Sequence, residues 1–284
     1  MPVSIQTTLE LSQRRLALHS ESARLDVQVL LAHILGKPRA WILAHPEYPL
    51  TAMQEIDFLQ VLARLEAGEP LPYLIGHWEF FGLDFTVNPA VLIPRPETEQ
   101  LVEHALDWLG KHHLRRKAVD VGTGSGCIPI ALASRVPDLH ILAVDVSMPA
   151  IQVARENISH HQMAERIHLA QTDLIEAIQP SSARRFDLVT ANLPYIPEAT
   201  LMALPTLRFE PRIALSGGVA GTDLIERLLM QVPQVIAPGG LLLLEIEATI
   251  GMAVQGLIRK FLPGAAVEVL PDLAGHDRLV IVQT

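Results

Sequence analysis

Hydrophobic and polar positions change their period twice along this chain. In the first part the apolar positions recur at helical spacing. Leu9, Leu11, Leu16 and Leu18 sit in one stretch; Leu25, Val27, Leu30, Leu31, Ile34 and Leu35 form a second that stops at Gly36. A third stretch opens on Thr51 with Gln54 three residues on, a capping-box pairing, runs through Leu65 and stops at Gly68. Short connections between such helices favour antiparallel neighbours, so residues 1–75 are expected to form a small helical bundle. From Trp78 the period shortens. Trp78, Phe80, Leu83, Phe85 and Val87, with Gly82 at a turn, predict a hairpin, and residues 76–93 are expected to link the bundle to a second domain, 94–284. Pro89, Pro94 and Pro96 punctuate the chain before a helix over residues 97–109.

After Lys117 short apolar runs alternate with helical stretches. The runs are Ala118-Val119-Asp120-Val121, Ile141-Leu142-Ala143-Val144, Ile167-His168-Leu169, Phe186-Asp187-Leu188-Val189 and Leu241-Leu242-Leu243-Leu244. That alternation is the mark of a parallel sheet covered by helices on both faces, a doubly wound α/β domain. Val267 to Leu270 and Leu279 to Val282 add two candidate strands near the end.

Composition constrains the setting more than the fold. Of 284 residues 49% are hydrophobic and 19% charged, ample for a buried core. The most apolar region, 228–244, is broken by Gln231, Pro233, Pro238, Gly239 and Gly240 and stopped by Glu245, so no membrane span is expected. Glu10, Arg14 and Arg15 interrupt any apolar leader. The single cysteine, Cys127, excludes an intrachain disulfide and fits a reducing compartment, so a cytoplasmic location is expected. The net charge is −9 and no basic run exceeds Arg115-Arg116-Lys117, which argues against a nucleic-acid substrate. Adjacent histidines such as His112-His113 and His160-His161 diverge on a helix, and no metal site is expected from them.

The candidate chemistry lies at strand ends. Gly122-Thr123-Gly124-Ser125-Gly126 follows the first strand where a helix begins, and glycine lets the backbone turn sharply and approach a ligand closely. The spacing is G-x-G-x-G; Cys127 stands where a dinucleotide fold places its third glycine. Asp145 ends the second strand, placed to accept from both hydroxyls of a ribose, a geometry that serves adenosylmethionine and NAD alike. Asp173, with Leu174 after it, ends the third strand. It can accept from an adenine amino group or cap a helix, while Leu174 packs on the ring. The fourth strand runs into Asn192-Leu193-Pro194-Tyr195. In open α/β sheets ligands sit beyond the carboxyl ends of the strands, so this loop faces the cofactor cleft. An amide or aniline-like NH₂ is a poor nucleophile because its lone pair is delocalised. The Asn192 oxygen and a main-chain carbonyl near Leu193 or Pro194 could hold such a group, Tyr195 could lie against its plane, and Pro194 would stiffen the turn.

The loop 192–195 resembles the Asn-Pro-Pro-Tyr signature of amino-group methyltransferases. More particular are Pro94-Arg95-Pro96-Glu97-Thr98-Glu99, Tyr73-Leu74-Ile75-Gly76, Phe209-Glu210-Pro211-Arg212 and Ala274-Gly275-His276-Asp277-Arg278. With these the chain is similar, over nearly its whole length, to the release factor glutamine methyltransferases (the HemK/PrmC family). The resemblance implies N5-methylation of the glutamine in the Gly-Gly-Gln motif of peptide chain release factors, with S-adenosyl-L-methionine as donor. It also implies a helical N-terminal domain that helps bind the factor, and a seven-stranded class I, Rossmann-like methyltransferase sheet with its last strand antiparallel. Carried over by position, Gly122, Thr123, Gly124, Ser125, Gly126, Asp145, Asp173 and Leu174 would contact the cofactor, Asn192 also touching it. Asn192, Leu193, Pro194 and Tyr195 would hold the glutamine, with Asn192, Pro194 and Tyr195 as the catalytic set. Arg95, Pro96, Glu97 and Thr98 would border the cleft or simply start a helix. Leu193 departs from the signature, which has proline there. A monomer without metal is expected. The rival readings are an adenine-N6 methyltransferase of DNA or RNA, which would flip its base into the same pocket, a catalytically silent cofactor-binding module, and an NAD-dependent oxidoreductase.

Overall fold

The computed structural model describes residues 3–179, 185–204 and 207–284. The chain divides into two units, Met1–His77 and Trp78–Thr284.

The first unit is helical: α1 (Ile5–Leu16), α2 (Ala23–Leu35), α3 (Arg39–Ala44), α4 (Ala52–Glu66) and α5 (Leu71–Ile75). Its boundaries follow the stop signals. Gly36 closes α2 in the left-handed region at φ 59°, where glycine carries no Cβ penalty. Thr51 opens α4 through a reciprocal capping box with Gln54, worth about 1 kcal/mol for such a cap. Val27, Leu30, Leu31, Phe58 and Leu62 are almost fully buried and form the centre of the bundle. The short helices α3 and α5 have no counterpart in the hydrophobic periodicity. Each starts directly after a proline, Pro38 or Pro70, and is too short to show a helical repeat.

A two-stranded hairpin follows, β1 (His77–Phe80) and β2 (Leu83–Thr86), all but its first residue in the second unit, turning at Phe81 and Gly82, both at positive φ. Then follow α6 (Thr98–Lys111), β3 (Lys117–Val121), α7 (Cys127–Arg135), β4 (His140–Asp145), α8 (Met148–His160), β5 (Ile167–Gln171) and β6 (Phe186–Ala191). The chain continues through α9 (Glu198–Met202), α10 (Asp223–Val235), β7 (Ile236–Glu245), α11 (Gly251–Phe261), β8 (Ala266–Pro271) and β9 (Asp277–Gln283). Seven strands make one sheet in the order β5-β4-β3-β6-β7-β9-β8. β9, the last, runs antiparallel to both neighbours, and the pairs from β5 to β7 are parallel. All seven strands coincide with the apolar runs of the sequence.

Alternation along the strands sorts the core into two layers. Ala118, Ile141, Ala143, Leu241 and Leu243 face the layer built by α6 and α7; Val119, Val121, Val144, Leu242 and Leu244 face the layer built by α10 and α11. Successive strand residues point to opposite faces, so a strand covered on both sides must be apolar throughout. Each fully buried aliphatic side chain contributes about 1.5–3 kcal/mol, which fixes the register against slippage.

Candidate active site

Register places the chemistry. Val144, Val121, Ala191 and Leu244 form one paired row across β4, β3, β6 and β7. The residues that follow them are Asp145, Gly122, Asn192 and Glu245. Four apolar strands therefore end together, and one polar or glycine residue per strand emerges along one edge.

At β3 the chain turns through Gly122, Gly124 and Gly126, all at positive φ. The three serve different ends. A Cβ on Gly122 would meet Leu193 Cδ2 at 3.1 Å; one on Gly124 would enter open space; one on Gly126 would meet Ala154 Cβ at 3.4 Å. Gly126 thus allows close packing on α8, while Gly124 leaves a cradle that a side chain would fill. The turn is tied to the next strand, since Gly124 N donates to Asp145 Oδ2 at 2.9 Å and Ser147 N to Asp145 Oδ1 at 2.9 Å. Two carboxylate oxygens offer about four acceptor sites, so Asp145 keeps capacity for a ligand's hydroxyls. Burial raises its pKa, opposed by the backbone N–H groups of Ser147 and Gly124. Beneath the turn Asp120 is 1% exposed, with burial lifting its pKa to about 6. Thr190 donates to its Oδ1 at 2.7 Å. Its Oδ2 and Thr123 Oγ1 have no partner in hydrogen-bond geometry, although the Thr123 hydroxyl lies close enough to favour the ionised carboxyl.

A cavity of about 300 Å³ runs along this edge, lined by residues 122–125, Asp145, Asp173, Leu174, residues 192–194, Pro94, Arg95 and Thr98 among others. Pro96 and Glu97, in the turn before α6, are exposed and lie outside the lining, whereas Arg95 and Thr98 on either side of them meet it. Gly126 is also off the lining. Asp173 does not use its side chain as a cap. It pairs with Arg227 at 2.8 Å, a half-exposed contact that contributes little to stability but sets a cation at the cavity wall.

A second, smaller cavity of about 80 Å³ is lined by Tyr195, Ile196, Leu207, Leu215 and, in common with the first, Leu92, Arg95, Ala214 and residues 192–194. The loop after β6 therefore borders both cavities. It is held from three directions. Leu193, standing where the signature has proline, is 4% exposed and packs over Gly122. The segment 215–221 lies against its back: Ile196 N donates to Leu215 O at 3.0 Å and Gly217 N to Ile196 O at 2.9 Å. The Asn192 amide Nδ2 donates to Thr98 Oγ1 at 3.2 Å, and Thr98 Oγ1 donates to Glu245 Oε2 at 2.6 Å. Burial first, then the charge of Glu245, pushes Tyr195 up to about 12, so its hydroxyl stays protonated.

Two sequence motifs that looked separate meet at the edge of these cavities. Arg95 Nη2 forms an ion pair with Glu210 Oε1, and Glu210 Oε2 accepts from Ile93 N at 3.4 Å. The Glu210 side chain is only 4% exposed, and losing the partner of a buried charge costs about 3–5 kcal/mol. Arg227, Glu245 and the glycines of 217–221 were not candidates from sequence. Glu245 did carry a signal, a carboxylate at the carboxyl end of a wholly apolar strand.

The sheet order, the antiparallel last strand and the glycine-lined cleft at the strand ends define a Rossmann-like methyltransferase. Its fold is similar to the N-terminal domain of human METTL16 in complex with SAH, at a TM-score of 0.54 and 16% identity over 89% of this chain and 93% of that one. The PrmC N-terminal domain family matches residues 7–76, and the methyltransferase small domain family matches residues 98–204. A release factor glutamine methyltransferase of Koribacter versatilis is 40% identical over 93% of this chain and 92% of that protein. Another, of Moorella thermoacetica, is 41% identical over 97% of each. The chain belongs to the release factor glutamine methyltransferase family. S-adenosylmethionine is the methyl donor of such enzymes, and the cleft fits it through the open cradle at Gly124 and the spare acceptor sites of Asp145. No helix among the described residues is long and apolar enough to cross a membrane, and no group of three or more His, Cys, Asp or Glu among them could hold a metal.

Proposed function

We propose that this chain methylates the side-chain amide nitrogen (N5) of a glutamine in the Gly-Gly-Gln motif of peptide chain release factors, acting in the cytoplasm as a monomer. One observation carries the reading: residues 192–194 line two adjoining cavities at once, one of which also includes the glycine turn. A planar NH₂ entering the smaller cavity meets Asn192 Oδ1 and the carbonyls of the loop, which hold both its hydrogens and bias its lone pair towards the larger cavity. S-adenosylmethionine, when bound, supplies an electrophilic methyl group. Gly122, Thr123, Gly124 and Ser125 accommodate it, Asp145 accepts from its ribose, and Asp173 with Leu174 borders its base. Tyr195, kept neutral, presents a flat wall to the amide. No strong base is required before attack, so the rate comes from alignment. The helical first unit is assigned to docking the release factor. Net charge of −9 disfavours a phosphate-rich substrate.

The test is mass spectrometry of a release factor incubated with enzyme and S-adenosylmethionine, alongside DNA and RNA in parallel. Methyl on the motif glutamine is expected; methyl on nucleic acid alone would overturn the assignment. Asn192→Ala should keep cofactor affinity within a few-fold and lower turnover by roughly 10²-fold, the scale of a misaligned reactant.

A further inference from the structure

Glu245 is 3% exposed at the tip of β7, yet no substrate-facing cavity includes it among its lining residues. Its contacts run toward the loop 192–195. Thr98 donates its single hydroxyl hydrogen to Glu245 Oε2, and the Asn192 N–H lies close enough to favour the ionised carboxylate. The hydrogen-bond inventory of these three groups leaves few arrangements. An ionised carboxylate only accepts, so the Thr98 hydrogen must go to Glu245. Thr98 Oγ1 can then only accept from Asn192, which forces the NH₂ end of that amide inward and leaves Oδ1 as the pole for the cleft. A protonated Glu245 removes the constraint, because its O–H can donate to Thr98 and release the threonine hydrogen toward Asn192. The amide could then present either end.

Resting on the reading of Asn192 as the amide-holding residue, we propose that Thr98 and Glu245 are positioning residues that set the direction of the Asn192 amide, so that its oxygen meets the substrate NH₂. This makes turnover depend on the ionisation of a carboxyl that never touches substrate. Burial lifts that carboxyl to about 7. The groups around it are Thr98 and Glu97 at the start of α6, Arg278 on β9, Asn192 and Tyr195 after β6, and Cys127 at the start of α7. Arg278 favours the charged form but is shared, since it also pairs with Asp272 at 3.2 Å and donates to Ile246 O at 3.1 Å. Glu97 opposes it. The balance leaves the chain of hydrogen bonds intact above neutrality and free to reverse below it.

The experiment compares wild type, Thr98→Val, Thr98→Ser and Glu245→Gln by steady-state methyl transfer to a release factor, by calorimetry with S-adenosylmethionine, and by the ¹⁵N side-chain amide signals of Asn192. Thr98→Val should lower kcat about tenfold or more with cofactor affinity within about threefold, and Thr98→Ser should restore most of the rate, as expected for a lost orientation rather than lost binding. In wild type kcat should rise with pH through about 7, and the Asn192 amide signals should titrate over the same interval; Glu245→Gln should abolish both dependences. Wild-type turnover in Thr98→Val, or Asn192 signals unmoved across that interval, overturns the proposal. A wild-type protein that leaves the glutamine unmethylated while its Asn192 signals titrate defeats the functional reading and leaves the hydrogen-bond chain standing.

Discussion

Replacing Gly217 with alanine drives a methyl group into backbone on three sides. The new Cβ would lie 2.7 Å from Gly221 O, 2.7 Å from Tyr195 Cα and 2.8 Å from Pro194 O, where ordinary contact begins near 3.4 Å. None of the three can rotate aside as a side-chain end would, so a gap of about 0.7 Å has to open between segment 215–221 and the loop 192–195. Overpacking of this kind costs about 1–3 kcal/mol, which for a domain of this size lowers Tm by roughly 2–4 °C per kcal/mol. The catalytic consequence is larger. A misplacement of about 1 Å is worth about 10²-fold in rate, so a shift of about half that distance should lower kcat by roughly tenfold. Gly217 does not line the larger cavity, and cofactor affinity by calorimetry should stay within a few-fold. Initial rates of methyl transfer, measured at a temperature where both proteins are folded, decide the matter. Full turnover in Gly217→Ala with an unchanged KM would refute the idea that this segment holds the loop in place.

A glycine with no such neighbours should behave oppositely: Gly256, exposed within α11 with nothing within 4 Å of its absent Cβ, should gain about 1 kcal/mol on replacement by alanine, seen as a raised Tm with unaltered kcat. Asp145→Ala removes charged hydrogen bonds of about 1.5–3 kcal/mol each and should weaken cofactor binding by roughly 10- to 100-fold in calorimetry; equal affinity would contradict the ribose assignment. Glu245 is raised in the fold from an ordinary 4.5 to about 7, so the native protein holds a proton that the unfolded chain has released. Its contribution to stability is therefore lost as pH rises from about 4.5 and fully absent above about 7, a difference on the order of 3 kcal/mol. Glu245→Gln should accordingly show little change in Tm near pH 4.5 and a growing advantage over wild type toward pH 8, checked by thermal melts across that range.

The sheet was legible because each of its strands is built around a short apolar run set between helical stretches, as burial on both faces favours. Three of the four residues at the shared strand edge were legible for the same reason: Gly122, Asp145 and Asn192 each interrupt an apolar run with a residue whose chemistry stands out. Glu245 does so as well, after four leucines, but read along the chain it looks like the end of a hydrophobic stretch. Only the pairing of Leu244 with Ala191 sets it beside Asn192. The same limit hid segment 215–221. Glycines in a loop signal a turn, and nothing local says that Gly217 is small because the backbone of residues 194 and 195 passes within van der Waals reach. The motif around Arg95 was visible, yet its meaning came from Glu210, more than a hundred residues away. Pro96 and Glu97 lie in the exposed turn before α6, between two residues that line the cavity, and no periodicity in the sequence separates the four.

The supports of the loop 192–195 are costly ones, and the reaction explains why such costs are tolerable. A buried ionised carboxylate and a glycine segment with its extra backbone freedom each subtract from stability, and well-packed apolar substitutes would be cheaper. An amide nitrogen, however, has almost no nucleophilicity to spare, and a site with no strong base gains rate only by holding the NH₂ group in one orientation. That orientation depends on which end of the Asn192 amide faces the cleft, a difference that packing cannot distinguish, since the NH₂ and oxygen ends have nearly the same shape. Hydrogen-bond polarity makes the distinction, and Glu245, which as a carboxylate can only accept, imposes it through Thr98. Sites that depend on alignment commonly give up stability in this way. Here the sacrifice falls on one strand tip, and the rest of the sheet, apolar on both faces, is able to bear it.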